Sequence, residues 1–358
     1  MSVENGSAPA KDRVIGIVGL GYWGPNLLRV LVDLPGVRVK WICDLEVERL
    51  ERFGRRYPGA STTRNYEDLL SDPEVDAVVI ATPVFAHYYL ALQALQAGKH
   101  TFVEKPLAPS SHEAVELVRV ADENELVLMC GQTFIYSPPV RAIKALLDRG
   151  ELGELHFISS SRVNLGLHQR DVSVIWDLAP HDFSILLYWL DELPTAVRAV
   201  GRDSIVKGIP DVAFVTLSMP SGVLANIELS WLAPSKLRRT VVVGSKKMVV
   251  YDDGSNEPLR IFDHGVVYED PETFGEYQLS YRTGDIVSPK LDAAEPISVE
   301  LGDFVAAINS GGSLNGHLNL AVDVVRLVEA AEESMKEGGV EISPHESFFT
   351  APHGGDET

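Results

Sequence analysis

Cysteine is nearly missing from this chain: Cys43 and Cys130 are the only two among 358 residues. Two thiols cannot staple a chain of this length, and no CxxC is present, so a disulfide framework is excluded and a reducing compartment is expected. Long apolar runs are missing too. No stretch approaches the roughly 18 apolar residues of a membrane span, and the small, polar segment Met1–Asp12 has no signal-peptide core. Residues 1–12 read as a disordered tail, the sequon Asn5-Gly6-Ser7 has no meaning without secretion, and a cytoplasmic location is expected. Basic charge is scarce, with 31 Lys and Arg against 51 Asp and Glu, a net charge of -20. That balance argues against nucleic acid and anionic membranes as partners; its plain meaning is solubility. The ten histidines are scattered, with no His-x-His or HExxH, so no metal site is expected. Internal repeats and low-complexity tracts are absent as well.

What is present is an ordinary globular composition, 45% hydrophobic and 23% charged. At roughly 100–200 residues per domain, the length suits two domains. From Arg13 onward, apolar strand-like runs alternate with helical stretches. Strands are expected at Val14–Val18, Val37–Cys43, Ala60–Thr62, Val75–Ala81, Thr101–Glu104 and Val127–Cys130, and helices at Pro25–Leu34, Glu46–Tyr57, Tyr66–Leu70, His87–Ala97 and Ser111–Asn124. This rhythm implies an α/β domain over 13–134, a doubly wound parallel sheet with helices on both faces. The rhythm then changes. After helix Pro138–Gly150, strand Leu155–Val163 and an apolar helix near 176–190, strands follow in succession at Ala196–Gly201, Val212–Met219, Val223–Trp231, Arg239–Gly244 and Met248–Asp252. Residues 253–296 read as irregular loop, and helices Val299–Asn309 and Leu320–Lys336 close the chain. The second domain, 135–358, is therefore expected to be α+β with a large, mostly antiparallel open sheet.

Three segments carry chemistry. The first is Gly19-Leu20-Gly21-Tyr22-Trp23-Gly24, a GxGxxG between an expected strand and an expected helix, the context a dinucleotide fingerprint requires. Gly19 suits the tight turn, Gly21 lets backbone approach a pyrophosphate, and Gly24 permits close packing, with Tyr22 and Trp23 flanking the phosphates. Asp44 ends the second strand, 20 residues after Gly24, where a carboxylate accepts from ribose hydroxyls and repels a 2′-phosphate. NAD is favoured over NADP, with Arg49 as the residue that would accommodate NADP and helix capping as the other role open to Asp44. Thr82 and Pro83 follow a strand end and are expected against the ribose or nicotinamide; His87 either joins them or merely starts a helix. The second segment, Glu104-Lys105-Pro106, again follows a strand, and an ammonium there would stabilise negative charge on a reacting oxygen. Taken alone, Lys105 reads equally well as a surface loop residue. The third is the apolar helix, in which Asp177 and His181 stand four residues apart on one face, a carboxylate beside an imidazole as in proton-transfer sites.

Together these residues resemble the glucose-fructose oxidoreductase / inositol dehydrogenase / MocA (Gfo/Idh/MocA) family. The resemblance runs from about Val14 to about Ile342 and rests on GxGxxG, Ala-Thr-Pro at 81–83, Ala-Gly-Lys-His-Thr-Phe-Val-Glu-Lys-Pro-Leu at 97–107 and Asp-x-x-x-His at 177–181. It implies a Rossmann domain, bound NAD, hydride exchange at a sugar carbon flanked by Lys105 and His181, Asp177 as helper to His181, Glu104 beside the cofactor, and a homodimer or homotetramer. A narrower resemblance is to bacterial nucleotide-sugar 3-dehydrogenases, through Gly-Tyr-Trp-Gly-Pro-Asn at 21–26, Trp-Asp-Leu-Ala-Pro-His-Asp at 176–182, Ser-Trp-Leu-Ala-Pro-Ser-Lys at 230–236 and Val-Gly-Ser-Lys-Lys-Met-Val-Val-Tyr-Asp-Asp at 243–253, with Ala233 as a departure. It implies oxidation at C3 of UDP-N-acetylglucosamine or its uronic acid; a free sugar or cyclitol is the alternative, and a non-catalytic dinucleotide sensor the third. Tyr136, Arg162, Asn164, His168 and Arg170 are candidate substrate contacts, with an arginine available to grip a carboxylate or phosphate. Trp231 and Lys236 line the site from the sheet or, for Trp231, fill the core.

Overall fold

A strand buried on both faces needs an unbroken apolar run, and the run around Val75–Ala81 supplies one: all four residues of its strand, Ala77–Ile80, are buried. The computed structural model of the chain describes residues 12–166, 172–269, 278–312 and 314–344. It opens with β1 (Arg13–Val18), α1 (Gly24–Asp33), β2 (Val37–Cys43), α2 (Val47–Arg56), β3 (Ser61–Thr63), α3 (Glu67–Leu70), β4 (Ala77–Ile80), α4 (Val84–Gln96), β5 (His100–Glu104), α5 (Ser111–Glu123) and β6 (Leu128–Gly131). The six strands form one parallel sheet in the order β3-β2-β1-β4-β5-β6. This is the doubly wound order, and its direction reverses between β1 and β4, where ligands bind beyond the strand ends.

The chain continues through α6 (Pro138–Asp148), β7 (Leu155–Leu165), α7 (Val174–Leu190), β8 (Ala196–Arg202), β9 (Val212–Ser218), β10 (Leu224–Ser230), β11 (Leu232–Gly244) and β12 (Met248–Asp252). Next come β13 (Leu259–Glu269), β14 (Gln278–Val287), α8 (Pro296–Ser310) and α9 (Asn315–Lys336). Strands β7 to β14 make an eight-stranded sheet in the order β14-β13-β12-β11-β7-β10-β9-β8, in which only β7 and β10 run parallel. Along β10, Ala225, Ile227 and Leu229 are buried while Leu224 and Asn226 are exposed, the alternation of a sheet covered on one face; α7 packs against β9 and β10.

Two features depart from expectation. The loop expected over 253–296 contains the antiparallel pair β13 and β14. Its apolar residues Val266, Tyr281, Ile286 and Val287 are exposed, so no buried face imposed a period-2 signal, and Asp263, Gly265 and Gly284 break what remains. The chain also divides into two compact units that are not contiguous in sequence: residues up to 136 join 294–322, and 137–293 join 323 onward. Helix α8 belongs with the first sheet, packing on α1 and on the 3-10 turn Thr133–Tyr136, with the Phe304 ring 5.7 Å from that of Phe102. The apolar stripe Ile297, Leu301, Phe304, Ile308 requires such a surface.

Candidate active site

The glycine turn is shaped by what its side chains would strike. Gly19 has φ +93°, and a Cβ there would lie 2.5 Å from the Ala81 carbonyl oxygen; at Gly24 it would lie 2.0 Å from that of Gly19. Gly21 is different, since a Cβ would meet nothing within 4 Å. Two of the three glycines are thus demanded by the fold, and the third faces open space. The Gly19 N–H donates to the Cys43 carbonyl (2.9 Å), and the Leu20 N–H to Asp44 Oδ2 (2.6 Å), which ties the turn to the end of β2. Asp44 is buried; its Oδ1 accepts from the Glu46 N–H (2.8 Å), and Arg49 Nη1 stands 3.4 Å from both oxygens. The cap of α2 is Glu46, so Asp44 orders the turn before that helix rather than capping it. Tyr22 is 86% exposed.

Beyond β4, Thr82 Oγ1 is buried without a hydrogen bond, and Pro83 is exposed and caps α4. A buried hydroxyl lacking a partner at the switch point, beside a turn that leaves space at Gly21, is the lining a dinucleotide fits. His87 lies inside α4 rather than at its start. Its ring is buried with Nδ1 2.8 Å from the Pro106 carbonyl and Nε2 2.8 Å from the Thr82 carbonyl. Burial pushes the imidazole pKa down, while the two carbonyls pull it up. His87 thus ties the loop after β4 to the loop after β5. That second loop has a cis Lys105–Pro106 bond, with Lys105 half-buried and its N–H donating to Glu104 Oε2 (3.2 Å). Burial lifts Glu104 to about 7 against the opposing charge of Lys105. Tyr136, in the 3-10 turn, is buried with its ring 6.4 Å from that of His317.

In the second unit, α7 begins two residues earlier than expected. Ser173 caps it, accepting from the Ile175 (3.2 Å) and Trp176 (3.4 Å) N–H groups and donating to Glu332. Pro180 lies beyond the first turn and removes the N–H that would bond the Trp176 carbonyl. Asp177 and His181, both half-buried, flank this break. Trp231, 1% exposed at the junction of β10 and β11, donates its indole N–H to Asp177 Oδ2 (2.9 Å). The backbone of Trp231 is fixed in turn by Asp211 and Gly166. Asn164 Oδ1, buried without a hydrogen bond, lies with Trp231 around Gly166, where a Cβ would strike both at 2.7 and 3.0 Å. Arg162, a candidate substrate contact, is 5% exposed and paired with buried Asp182, which also accepts from Ser160 Oγ (2.7 Å). Its charge is engaged under α7. Lys236 is exposed on β11, and His168 and Arg170 lie outside the described residues.

Asp182 and Trp231's bond to Asp177 were not read from sequence, although an aspartate inside an apolar helix was itself a signal for a buried partner. Residues 13–132 match the Gfo/Idh/MocA model described as an oxidoreductase family with an NAD-binding Rossmann fold, and residues 140–250 match that family's C-terminal domain. The chain belongs to this family. A Gfo/Idh/MocA relative, the uncharacterized oxidoreductase YrbE of Bacillus subtilis, is 27% identical over 275 residues, covering 74% of this chain and 81% of its own length. The scyllo-inositol 2-dehydrogenase (NADP+) IolW of the same organism is 25% identical, covering 90% and 94%. Among solved structures, GenD2 from gentamicin A biosynthesis, in complex with NAD, superposes with a TM-score of 0.79 at 24% identity, over 96% of this chain and 99% of that one. As a family member the chain is an NAD(P)-dependent oxidoreductase acting on CH–OH groups. No helix among the described residues is long and apolar enough to cross a membrane.

Proposed function

We propose that this oxidoreductase interconverts a secondary alcohol and a ketone on a sugar ring, with His181 as the proton acceptor. The observation that carries the assignment is the Trp231–Asp177 bond on a capped helix: it holds a carboxylate one turn before an imidazole, beside an Asn164 oxygen with no partner. The reacting hydroxyl gives its proton to His181, and Asp177 stabilises the cation that results. Lys105 donates to the same oxygen and stabilises negative charge developing on it. The Gly19–Gly24 turn, the N-terminus of α1, Asp44 and Thr82 would hold NAD, whose nicotinamide when bound supplies the hydride acceptor. Asn164 orients a neighbouring ring hydroxyl. Arg170 and Tyr136 are kept as substrate contacts, while the buried pairing of Arg162 directs it toward supporting the helix.

The narrower substrate proposed is a nucleotide sugar oxidised at C3, on the motifs at 21–26, 176–182, 230–236 and 243–253. A free cyclitol is the second reading, favoured by the end-to-end coverage of IolW. A panel of UDP-sugars, free sugars and inositols with NAD and NADP, followed at the absorbance of reduced nicotinamide, separates them. Turnover lost in Lys105→Ala and His181→Ala with NAD binding kept supports the assignment. No turnover on any ring alcohol, with tight NAD binding, overturns it in favour of a sensor. We further propose that the chain self-associates through the face of the large sheet opposite α7. There Val200 pairs with Phe214 and Phe157 with Leu224, all exposed; light scattering of the protein and a Phe214→Glu variant tests it.

A further inference from the structure

Under the Lys105 loop, the first unit buries two acids whose side chains come from distant parts of the chain. Glu104 ends β5 and is 7% exposed; Glu300, from α8, is 0% exposed. Each is half satisfied. Glu104 Oε2 accepts from the Lys105 N–H (3.2 Å), and Glu300 Oε2 from Thr133 Oγ1 (2.7 Å). The remaining oxygens, Glu104 Oε1 and Glu300 Oε1, are both buried without a hydrogen bond. The two carboxyls close around the end of β6: Glu104 packs on Gly131, where a Cβ would lie 3.2 Å from its carboxyl, and both acids act on the buried Cys130 thiol.

Two ionised carboxylates in such a place, each with a bare oxygen, would repel one another and forfeit hydration without return. Among the described residues no third acidic, imidazole or thiol group joins them to hold a metal ion. A proton is the remaining remedy, as in carboxylate pairs that share a site. We propose that Glu104 and Glu300 retain one proton between them at neutral pH, and that the single charge left over is the counter-charge that positions the Lys105 ammonium. The importance of Lys105 rests on the function proposed above. The pairing is supported by the Lys105 charge, which acts on the Glu104 carboxyl against its burial. The other groups facing it are Cys130 on β6, His317 on α9, whose Nε2 meets the Cys130 carbonyl at 2.7 Å, and Asp303 on α8. Burial raises the Cys130 thiol and lowers His317, which leaves both neutral, and it raises Glu300 well above the usual carboxylate range.

Infrared spectroscopy of the full chain, without cofactor or sugar, reads the proton directly. At pH 7 the wild type is expected to show the carbonyl stretch of a protonated carboxylic acid, shifted in D2O and diminished by Glu300→Gln. The counter-charge is read by acylation of Lys105, quantified by peptide mass spectrometry against the other lysines. Glu104→Gln is expected to lower the Lys105 pKa and so raise the fraction of free amine at neutral pH, speeding acylation by about tenfold if the pKa falls by one. A wild-type spectrum without the acid band overturns the shared proton even if neither variant folds, and unchanged Lys105 reactivity in folded Glu104→Gln overturns the counter-charge. Both readings are independent of turnover, so a chain with the band and no activity on any sugar retains the acid pair and loses only the proposed reaction.

Discussion

Substituting alanine at Gly21 and, separately, at Gly24 should split cofactor binding from folding. At Gly24 the added Cβ would stand 2.0 Å from the Gly19 carbonyl oxygen, a backbone atom that can yield only by distorting the turn. Such overpacking costs about 1–3 kcal/mol, so Gly24→Ala should unfold earlier with or without NAD. At Gly21 the Cβ meets nothing within 4 Å, and the residue is absent from the positive-φ glycines. Replacing a glycine in a permitted conformation stabilises by roughly 0.4–1 kcal/mol, so the free protein should lose nothing. The methyl instead occupies the approach to the pyrophosphate. Losing one charge-assisted hydrogen bond there, about 1.5–3 kcal/mol, weakens NAD binding by roughly 10- to 150-fold. At an NAD concentration of 100 times the wild-type Kd, ligand stabilisation is about 2.7 kcal/mol, and it should fall to about 0.3–1.4 kcal/mol in the variant. Thermal or urea unfolding with and without NAD measures both. Gly21→Ala retaining the full NAD stabilisation refutes the role of the open space, and Gly21→Ala destabilised as much as Gly24→Ala refutes the steric reasoning.

Three further outcomes follow from the geometry. His87→Phe keeps a ring but removes the single N–H of the neutral imidazole, leaving one of the Thr82 and Pro106 carbonyls without its donor, at about 1–3 kcal/mol for a buried acceptor. Unfolding should come earlier and kcat/KM should fall, with His87→Gln recovering part of both. Arg162→Met strands the buried Asp182 charge and should cost about 3–5 kcal/mol in urea unfolding, and adding Asp182→Leu should return most of it. Glu104 titrates at about 7 in the fold, raised by burial against the pull of Lys105, from an ordinary 4.5. Between those values the folded chain holds the proton that the unfolded chain has released. The Glu104 contribution to stability is therefore full below pH 4.5 and is lost as the pH rises toward 7; denaturation midpoints across that window should fall less steeply in Glu104→Gln.

The first sheet was legible because its strands are apolar on both faces and its turns are punctuated by glycine. Val37–Cys43 and Met248–Asp252 fall where expected, and most other elements shift by one to three residues at an end. Strands β13 and β14 were not legible, because a hairpin with exposed apolar residues carries no buried-face period. The return of α8 to the first sheet is a matter of tertiary packing. Glu300 on its apolar stripe hinted at a buried polar partner, but nothing local names Thr133 or Glu104. The candidate site residues were picked out as types and spacings: glycine turn, Asp44, Lys105, Asp177 and His181. Their partners were not, since Trp231 reaches Asp177 across 54 residues and Ser160 reaches Asp182 across 22. Motifs record which groups react, whereas the bonds that orient them are set by register between strands and helices.

The anchoring of α7 shows why those bonds lie where they do. Pro180 removes one backbone hydrogen bond from the helix, and a helix weakened there is free to bend next to His181. The side chains on either side offset that weakness. Asp177, three residues before the proline, is bonded to Trp231, and Asp182, two residues after it, to Ser160 and Arg162. At 3.6 residues per turn these two anchors point about 140° apart around the axis. One anchor leaves a helix able to roll about it; two at that angle fix both its rotation and its height over the sheet. His181 projects about 40° from Asp177, so its imidazole inherits an orientation set from both sides of the break. Asp182 is for that reason placed to set the geometry of the helix that carries His181, although only Asp177 belongs to the recognisable motif.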